Sequence, residues 1–432
     1  MSTAAGFCKA TAITAGARTS VLPAALAAVL LAPAPAAAVE FGKAVIGNTV
    51  QGRVHKGYEP VGIRTGSFMF YPTIDVRGEY TDNIYATGTN KVEDFIIGVR
   101  PQVAAQSLWK RHSLRVTAYG DFGLYLDNSN ENYEDAGVTT DAAFDIAENS
   151  RLTARLVAIR DHERRDSPDD ARGVTPTIYY KVTPELRFDQ RLNRVALRLR
   201  GKVEYLDFND VETSTGAIVN EDDRDRLGWV IEGRAGYDVS RNVQLYVSGL
   251  ADQRTYDQKV DDQGFARDSK GFGVFGGIIV ELTGTVSAEG YVGLRRQSFA
   301  DPVLPNVSGV AGGLNVVWAP TKLTTVTVTG ERTVEETTQV GSTATLNTSF
   351  TVTVDHELRR NLVITLSGTY LSRDYQGIVR NDDNWRGSLG VQYLMSRHFR
   401  LRAGYTYNAR DSNLFGFDYD TNSAYVSLHV DY

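Results

Sequence analysis

Cysteine is almost missing from this chain: its 432 residues include one, Cys8. With no second thiol there can be no disulfide framework and no cysteine-built zinc cluster, and a cysteine nucleophile goes too if Cys8 is lost with a leader. Long apolar runs are just as scarce. A membrane-spanning helix takes about 20 consecutive apolar residues, and one stretch approaches that, residues 21–39, interrupted by Pro23, Pro33 and Pro35. Mean hydropathy is -0.26, too polar for a helical membrane protein, while the length is ample for one large β domain. Positive charge is in deficit, with 46 Lys and Arg against 52 Asp and Glu. A chain without a basic excess is a poor partner for nucleic acid. Histidine is rare, six in all, and none has a serine or aspartate context that would set a nucleophile beside its base, so no enzyme is expected.

What is present starts with an export signal. Lys9 and Arg18 precede the apolar stretch and Ala36, Ala37 and Ala38 follow as small cleavage-site residues, the pattern of a secretory signal peptide over residues 1–38. Its removal takes the formal charge from -6 to -8. Residues 39–66 mix glycine and charge without a clear period, and are expected to be a periplasmic lead or a partial plug.

From Phe68 to Tyr432 apolar and polar residues alternate. In the first segment Phe68, Phe70, Pro72, Ile74, Val76, Gly78 and Tyr80 alternate with Met69, Tyr71, Thr73, Asp75, Arg77, Glu79 and Thr81. Successive strand side chains point to opposite faces, so one face is apolar and the other charged. Short turns recur around residues 109–111, 148–150, 191–193, 240–242, 283–285, 320–322, 359–361 and 396–398. The spacing of about forty residues fits two strands, a short turn and a longer loop. Longer polar connections lie between, such as 127–135, 161–173, 207–225, 257–268 and 411–420, rich in Asp, Asn, Gly and Ser. The expectation is an all-β protein, a transmembrane antiparallel up-and-down β-barrel over residues 67–432. It has about 18 strands, with 16 as the alternative count, periplasmic turns and external loops.

Trp109 and Trp318 fall beside short turns, Trp229 and Trp385 just after long loops, which places two at each membrane interface as a girdle. Tyr80, Tyr205, Tyr237 and Tyr393 fall near strand ends on the outward register. Ala424, Val426, Leu428, Val430 and Tyr432 alternate up to a final aromatic residue. This is similar to the terminal signal read by the outer-membrane barrel assembly machinery, with Val430 and Tyr432 as its members here.

The segment Gly57-Tyr58-Glu59-Pro60-Val61-Gly62-Ile63-Arg64-Thr65-Gly66-Ser67-Phe68, with Pro72 and Tyr80-Thr81-Asp82-Asn83-Ile84-Tyr85 after it, resembles the opening of outer-membrane proteins of the putative β-barrel porin type 2 family. Pro101, Trp109 and His112 fit the same resemblance. It is specific to the first hairpin and extends over the rest of the barrel by period. Some members resemble barrels encoded with exopolysaccharide or capsule export systems, so the resemblance implies a conduit with polysaccharide export components among its partners.

On the charged register the expected lumen-lining residues include Arg77, Arg100, Arg115, Arg198, Arg200, Lys202, Glu204, Arg234, Arg400 and Arg402. Arg198, Arg200 and Lys202 on one strand could attract an anionic polymer, or could pair across strands. Acidic loop runs such as residues 221–225 lack the spacing of a calcium loop, so solvated loops are expected and no cofactor or metal. The functional expectation is a conduit in the cell outer membrane, amid lipid and lipopolysaccharide, associated with exopolysaccharide export. A general or anion-biased diffusion porin and a plugged structural or adhesive barrel are the alternatives.

Overall fold

The computed structural model describes residues 49–432 apart from Thr283 and Thr338. The expected signal peptide and residues 39–48 of the lead lie outside the described residues. Strands follow one another with almost no other regular structure. They are β1 Phe68–Thr81, β2 Asp94–Ser107, β3 Ser113–Tyr125, β4 Tyr133–Ala147, β5 Ser150–His162 and β6 Ile178–Leu192. Then come β7 Val195–Phe208, β8 Arg226–Ser240, β9 Val243–Tyr256, β10 Ser269–Leu282, β11 Val286–Phe299 and β12 Val307–Thr321. The last six are β13 Thr324–Glu335, β14 Ala344–Arg359, β15 Leu362–Gln376, β16 Asn381–Leu394, β17 Phe399–Ser412 and β18 Tyr419–Asp431.

Each strand pairs antiparallel with the next, and β1 pairs back onto β18 from Thr73 opposite Asp431 to Thr81 opposite Ser423. The barrel is closed at 18 strands, the count read from the turns. Closure is what a lipid surround demands, because an open edge would strand a row of backbone donors and acceptors in hydrocarbon. The connections between β2 and β3, β4 and β5, and so on to β16 and β17 are short turns at one end. The opposite end carries loops L1 (82–93), L2 (126–132), L3 (163–177), L4 (209–225), L5 (257–268), L6 (300–306), L7 (336–343), L8 (377–380) and L9 (413–418).

The alternation sorts the residues as the sequence requires. Ile74, Val76, Leu197, Leu199, Ile231, Val247, Val274, Leu294 and Leu401 are exposed on the outer wall, a continuous apolar surface that water would not tolerate and hydrocarbon favours. The four tyrosines read as outward, Tyr80, Tyr205, Tyr237 and Tyr393, are exposed there. Other tyrosines point inward, which alternation alone does not announce. The Tyr119 ring lies over Gly137 and the Tyr246 ring over Gly277, its partner across the strand pair. A Cβ built on those two glycines would come within 2.1 and 2.3 Å of the ring, so these positions are small because the neighbouring ring covers them.

Candidate functional site

Loop L3 connects β5 to β6, yet it reaches strands on another side of the barrel. Asn408 on β17 donates to Asp166 Oδ2 at 3.2 Å, Arg386 Nη2 on β16 lies 3.6 Å from the same oxygen, and Arg410 donates to the Asp166 carbonyl. Counting from β5 through β1 and β18 to β17 takes six strand spacings of about 4.8 Å, roughly 29 Å of wall. L3 therefore runs through the interior and narrows it.

The loop is held inside by its own charges. Arg165 donates to both oxygens of Glu131 at 2.9 and 2.7 Å, to Asp170 at 3.3 Å and to the Gly173 carbonyl at 2.9 Å. At its start, Glu163 accepts from Arg224 of L4 at 2.8 and 3.0 Å. Asp169 accepts from Thr337 of L7 at 2.9 Å, and the Pro168 carbonyl accepts from Gln339 of L7 at 2.5 Å. L7 is clamped in turn. Glu336 bridges Arg226 and Arg254 at 2.7 and 3.2 Å, and Arg380 of L8 donates to Gln339 at 2.5 Å. A small apolar cluster of Val307, Val334 and Ala344, with Phe299 and Leu346 against it, lies at the loop ends of β11 to β14 beside L7.

Around Asp166 the charge is lopsided. Arg164 grips the carboxylate at 2.8 and 3.0 Å, Arg386 and Arg410 stand near it, and Arg373 stands near Arg386. Burial alone would raise the Asp166 carboxyl; Arg164, then Arg386 and Arg410, hold it well below the usual carboxylate range. Asp382 adds no free acid, since its carboxylate is taken by Arg380 at 2.9 and 2.6 Å. Three guanidinium groups, those of Arg164, Arg386 and Arg410, thus surround one loop carboxylate. Arg386 Nε is buried without a hydrogen-bond partner, a donor left over beside the loop carboxylate. A buried cationic donor of this kind favours an anion, because a charge-assisted bond would restore what desolvation cost it.

The ten residues expected to line the lumen all lie on the inward register, and most are matched by acids. Arg77 pairs with Glu79 at 3.2 Å, Arg100 with Asp121 at 2.8 Å, Arg400 with Asp431 at 2.8 Å and Arg402 with Asp75 at 3.3 Å. Arg115 stands opposite Asp141 across the β3 and β4 pair. Of the two expectations for Arg198, Arg200 and Lys202, pairing is what the structure has: Arg198 meets Asp189 at 2.7 Å, Arg200 meets Glu185 at 2.8 Å and Lys202 meets Glu204 at 3.0 Å. With Arg155, Glu232, Arg234 and Glu289 these form an alternating ladder across the wall, in which Arg234 reaches Glu289 at 2.8 Å. Sequence reasoning places Arg386 on the lumen-facing register but does not bring it together with Asp166, Arg164 or Arg410. Arg386 and Arg410 share the inward parity of Arg400 and Arg402, which was the available signal; nothing in the sequence marks L3 as inward.

Trp109, Trp318 and Trp385 are exposed and Trp229 half-buried, two at the turn end and two at the loop end. Asp135, Asp161 and His162 bring three donors within 4.8 Å of one another. They are engaged among themselves, with His162 Nδ1 3.0 Å from Asp135 and its ring stacked 4.4 Å from Tyr133, while Tyr179 donates to Asp161 at 3.4 Å. The group reads as an internal hydrogen-bonded cluster.

The sequence profile of a family described as "putative beta-barrel porin 2" matches residues 56–432. No curated protein matches the sequence. Among solved structures, the chain is similar to three proteins of Pseudomonas aeruginosa. The outer membrane protein OpdK shows 14% identity and a TM-score of 0.42, with 84% of this chain and 99% of that one covered. OccK3 (OpdO) shows 14% and 0.43, covering 84% and 96%; OccK11 (OpdR) shows 11% and 0.43, covering 87% and 99%.

Proposed function

Since the chain belongs to the putative β-barrel porin 2 family, and so is a porin-like barrel of the outer membrane, we propose that it is a diffusion channel biased toward small anions, with the Asp166 cluster as its selective constriction. One observation carries this reading: the unpartnered, buried Nε of Arg386 inside a group of three arginines around a single loop carboxylate. An anion passing L3 would meet three guanidinium groups against one carboxylate, whereas most of the other inward cations face an acid of their own. Transverse charge of this kind favours one sign of solute in a narrow, partly desolvated passage.

The export of a polysaccharide is less well supported. L3, L4, L7 and L8 hold one another by at least one contact each across the mouth, an arrangement suited to a small solute more than to a polymer chain. The paired state of Arg198, Arg200 and Lys202 also removes the anionic-polymer track that favoured export.

The test is reconstitution of the refolded barrel in a planar bilayer under a salt gradient. The expected reversal potential has the sign of anion preference, and Arg386→Ala combined with Arg410→Ala moves it toward zero. A silent barrel, or a cation-preferring one, refutes the proposal.

A further inference from the structure

The opposite mouth of the barrel carries a second obstruction, built from the chain that precedes β1. A three-residue strand, Ile63–Thr65, pairs with Phe68 to Phe70 of β1, and Gly62 N–H donates to the Tyr432 carbonyl at 3.0 Å. From there the chain, followed toward its N-terminal side, crosses the turn end. His55 Nδ1 lies 3.1 Å from the Arg360 carbonyl in the turn between β14 and β15. Arg53 then reaches the Lys322 carbonyl in the turn between β12 and β13 and the Glu357 carboxylate on β14.

Beyond Arg53 the segment dips inside. A tight turn is closed by the Gly52 N–H on Thr49 Oγ1 at 2.9 Å and by the Arg53 N–H on the Thr49 carbonyl at 3.2 Å. It presents Val50 and Gln51 to the wall. Val50 N–H donates to Thr325 Oγ1 at 2.9 Å, and Gln51 Nε2 donates to Asp355 at 2.9 Å and to Thr365 at 3.4 Å. Val50 is 0% exposed, and Thr325 and Val363 on the inward register are 2% exposed each. Inward residues of a wide barrel face water unless something covers them, so these values mean the segment is seated on β13, β14 and β15. The seat suits it: the two acids under the segment are both met, Asp355 by Gln51 and Thr365, and Glu357 by Arg53, and the inward register next along is uncharged over Thr327, Thr329, Thr351 and Thr353, in contrast to the charged ladder of β5 to β8. An apolar side chain can pack on that wall without desolvating an ion pair.

We propose that residues 49–57 are an internal strap that narrows the turn-side mouth, so that conductance depends on whether it is seated. Its anchors are hydrogen bonds and one ion pair, mostly at the rim: the Val50 N–H, the Gln51 amide, Arg53 on Glu357 and the Lys322 carbonyl, and His55 on the Arg360 carbonyl. Such a contact opens locally far more readily than the barrel wall. The proposal rests on the channel reading above.

The experiment locks and releases the strap in the full chain. In a Cys8→Ser background, Val50→Cys with Thr325→Cys places two thiols where a backbone N and a side-chain oxygen are 2.9 Å apart, a Cα separation within disulfide reach. Oxidised, this pair is expected to give a conductance at or below that of the parent with opening steps lost, and reductant restores them. Gln51→Ala combined with Arg53→Ala is expected to raise conductance, with the shift in gel migration on boiling confirming a folded barrel. Conductance unchanged in the released variant, or no cross-link formed, overturns the strap and leaves the channel standing. Silence from parent and variants alike overturns both.

Discussion

Asp166 lies 3.6 Å from Arg386 Nη2, although one residue belongs to the loop after β5 and the other to β16. A contact of that span fixes the loop across the lumen and puts its carboxylate among cations that would otherwise face a passing solute. Asp166 is in this sense a tethered competitor for the arginines. Replacing it with Asn keeps the hydrogen bond from Asn408 but removes the charge, so anion preference should strengthen. The reversal potential of Asp166→Asn in a salt gradient checks this; a shift toward cations would remove the cluster from the permeation path.

Arg380 is the keystone of the loop cap. It is fully buried, bonded to Asp382 at 2.9 and 2.6 Å, and held between the Tyr375 and Phe417 rings at 4.4 and 3.8 Å. Arg380→Ala leaves Asp382 buried without its cation, a loss of about 3–5 kcal/mol for a pair of this type. The loss should appear as loosened loops on an intact barrel. Limited proteolysis is expected to cut L7 and L8 faster in the variant, while the shift in gel migration on boiling persists.

A pH response is built into L4. Burial, and then the nearby Asp207, Asp222 and Asp257, push the Asp225 carboxyl up to about 7, against the opposing bond from the Phe208 N–H. The folded loop therefore prefers the protonated acid. Its contribution is complete below the ordinary value of 3.8 and is lost as the pH rises through about 7. L4 should become more open to protease across that interval, and Asp225→Asn should flatten the profile. A loop equally resistant at both ends of the interval contradicts the assignment.

The parts of this molecule that the sequence disclosed are those that a fixed backbone period dictates. Alternation puts Arg200 on one face and Leu199 on the other whatever the barrel's size, and turn positions such as Arg191-Leu192-Asn193 sit where the strands reverse. Partner choice was less legible, because it needs the register: Arg198 meets Asp189 as its partner across the β6 and β7 pair, and a slip of one residue would have sent one of them to the other face. The constriction was not legible at all. Asp166 and Asn408 are 242 residues apart, and a polar loop reads the same whether it folds outward or inward. The strap shares that difficulty, since Val50 and Gln51 carry no period of their own.

The wall ladder and the constriction make opposite demands on the same residue type, which gives the last prediction. Arg200 lies between Glu185 at 2.8 Å and Glu232 at 3.7 Å, with 38% of its side chain exposed. In a wet lumen such a pair contributes below about 1 kcal/mol, because solvent screens it and two long side chains must be ordered. Arg200→Ala should thus leave stability nearly unchanged, and it should shift the reversal potential slightly toward cations as the two glutamates lose their partner. Arg386→Ala removes a cation whose Nε has no partner, beside a carboxylate that Arg164 already neutralises. Its effect on selectivity should be several times that of Arg200→Ala, with both variants measured in the same salt gradient. Equal shifts would mean that selectivity is spread along the wall and does not reside at Asp166.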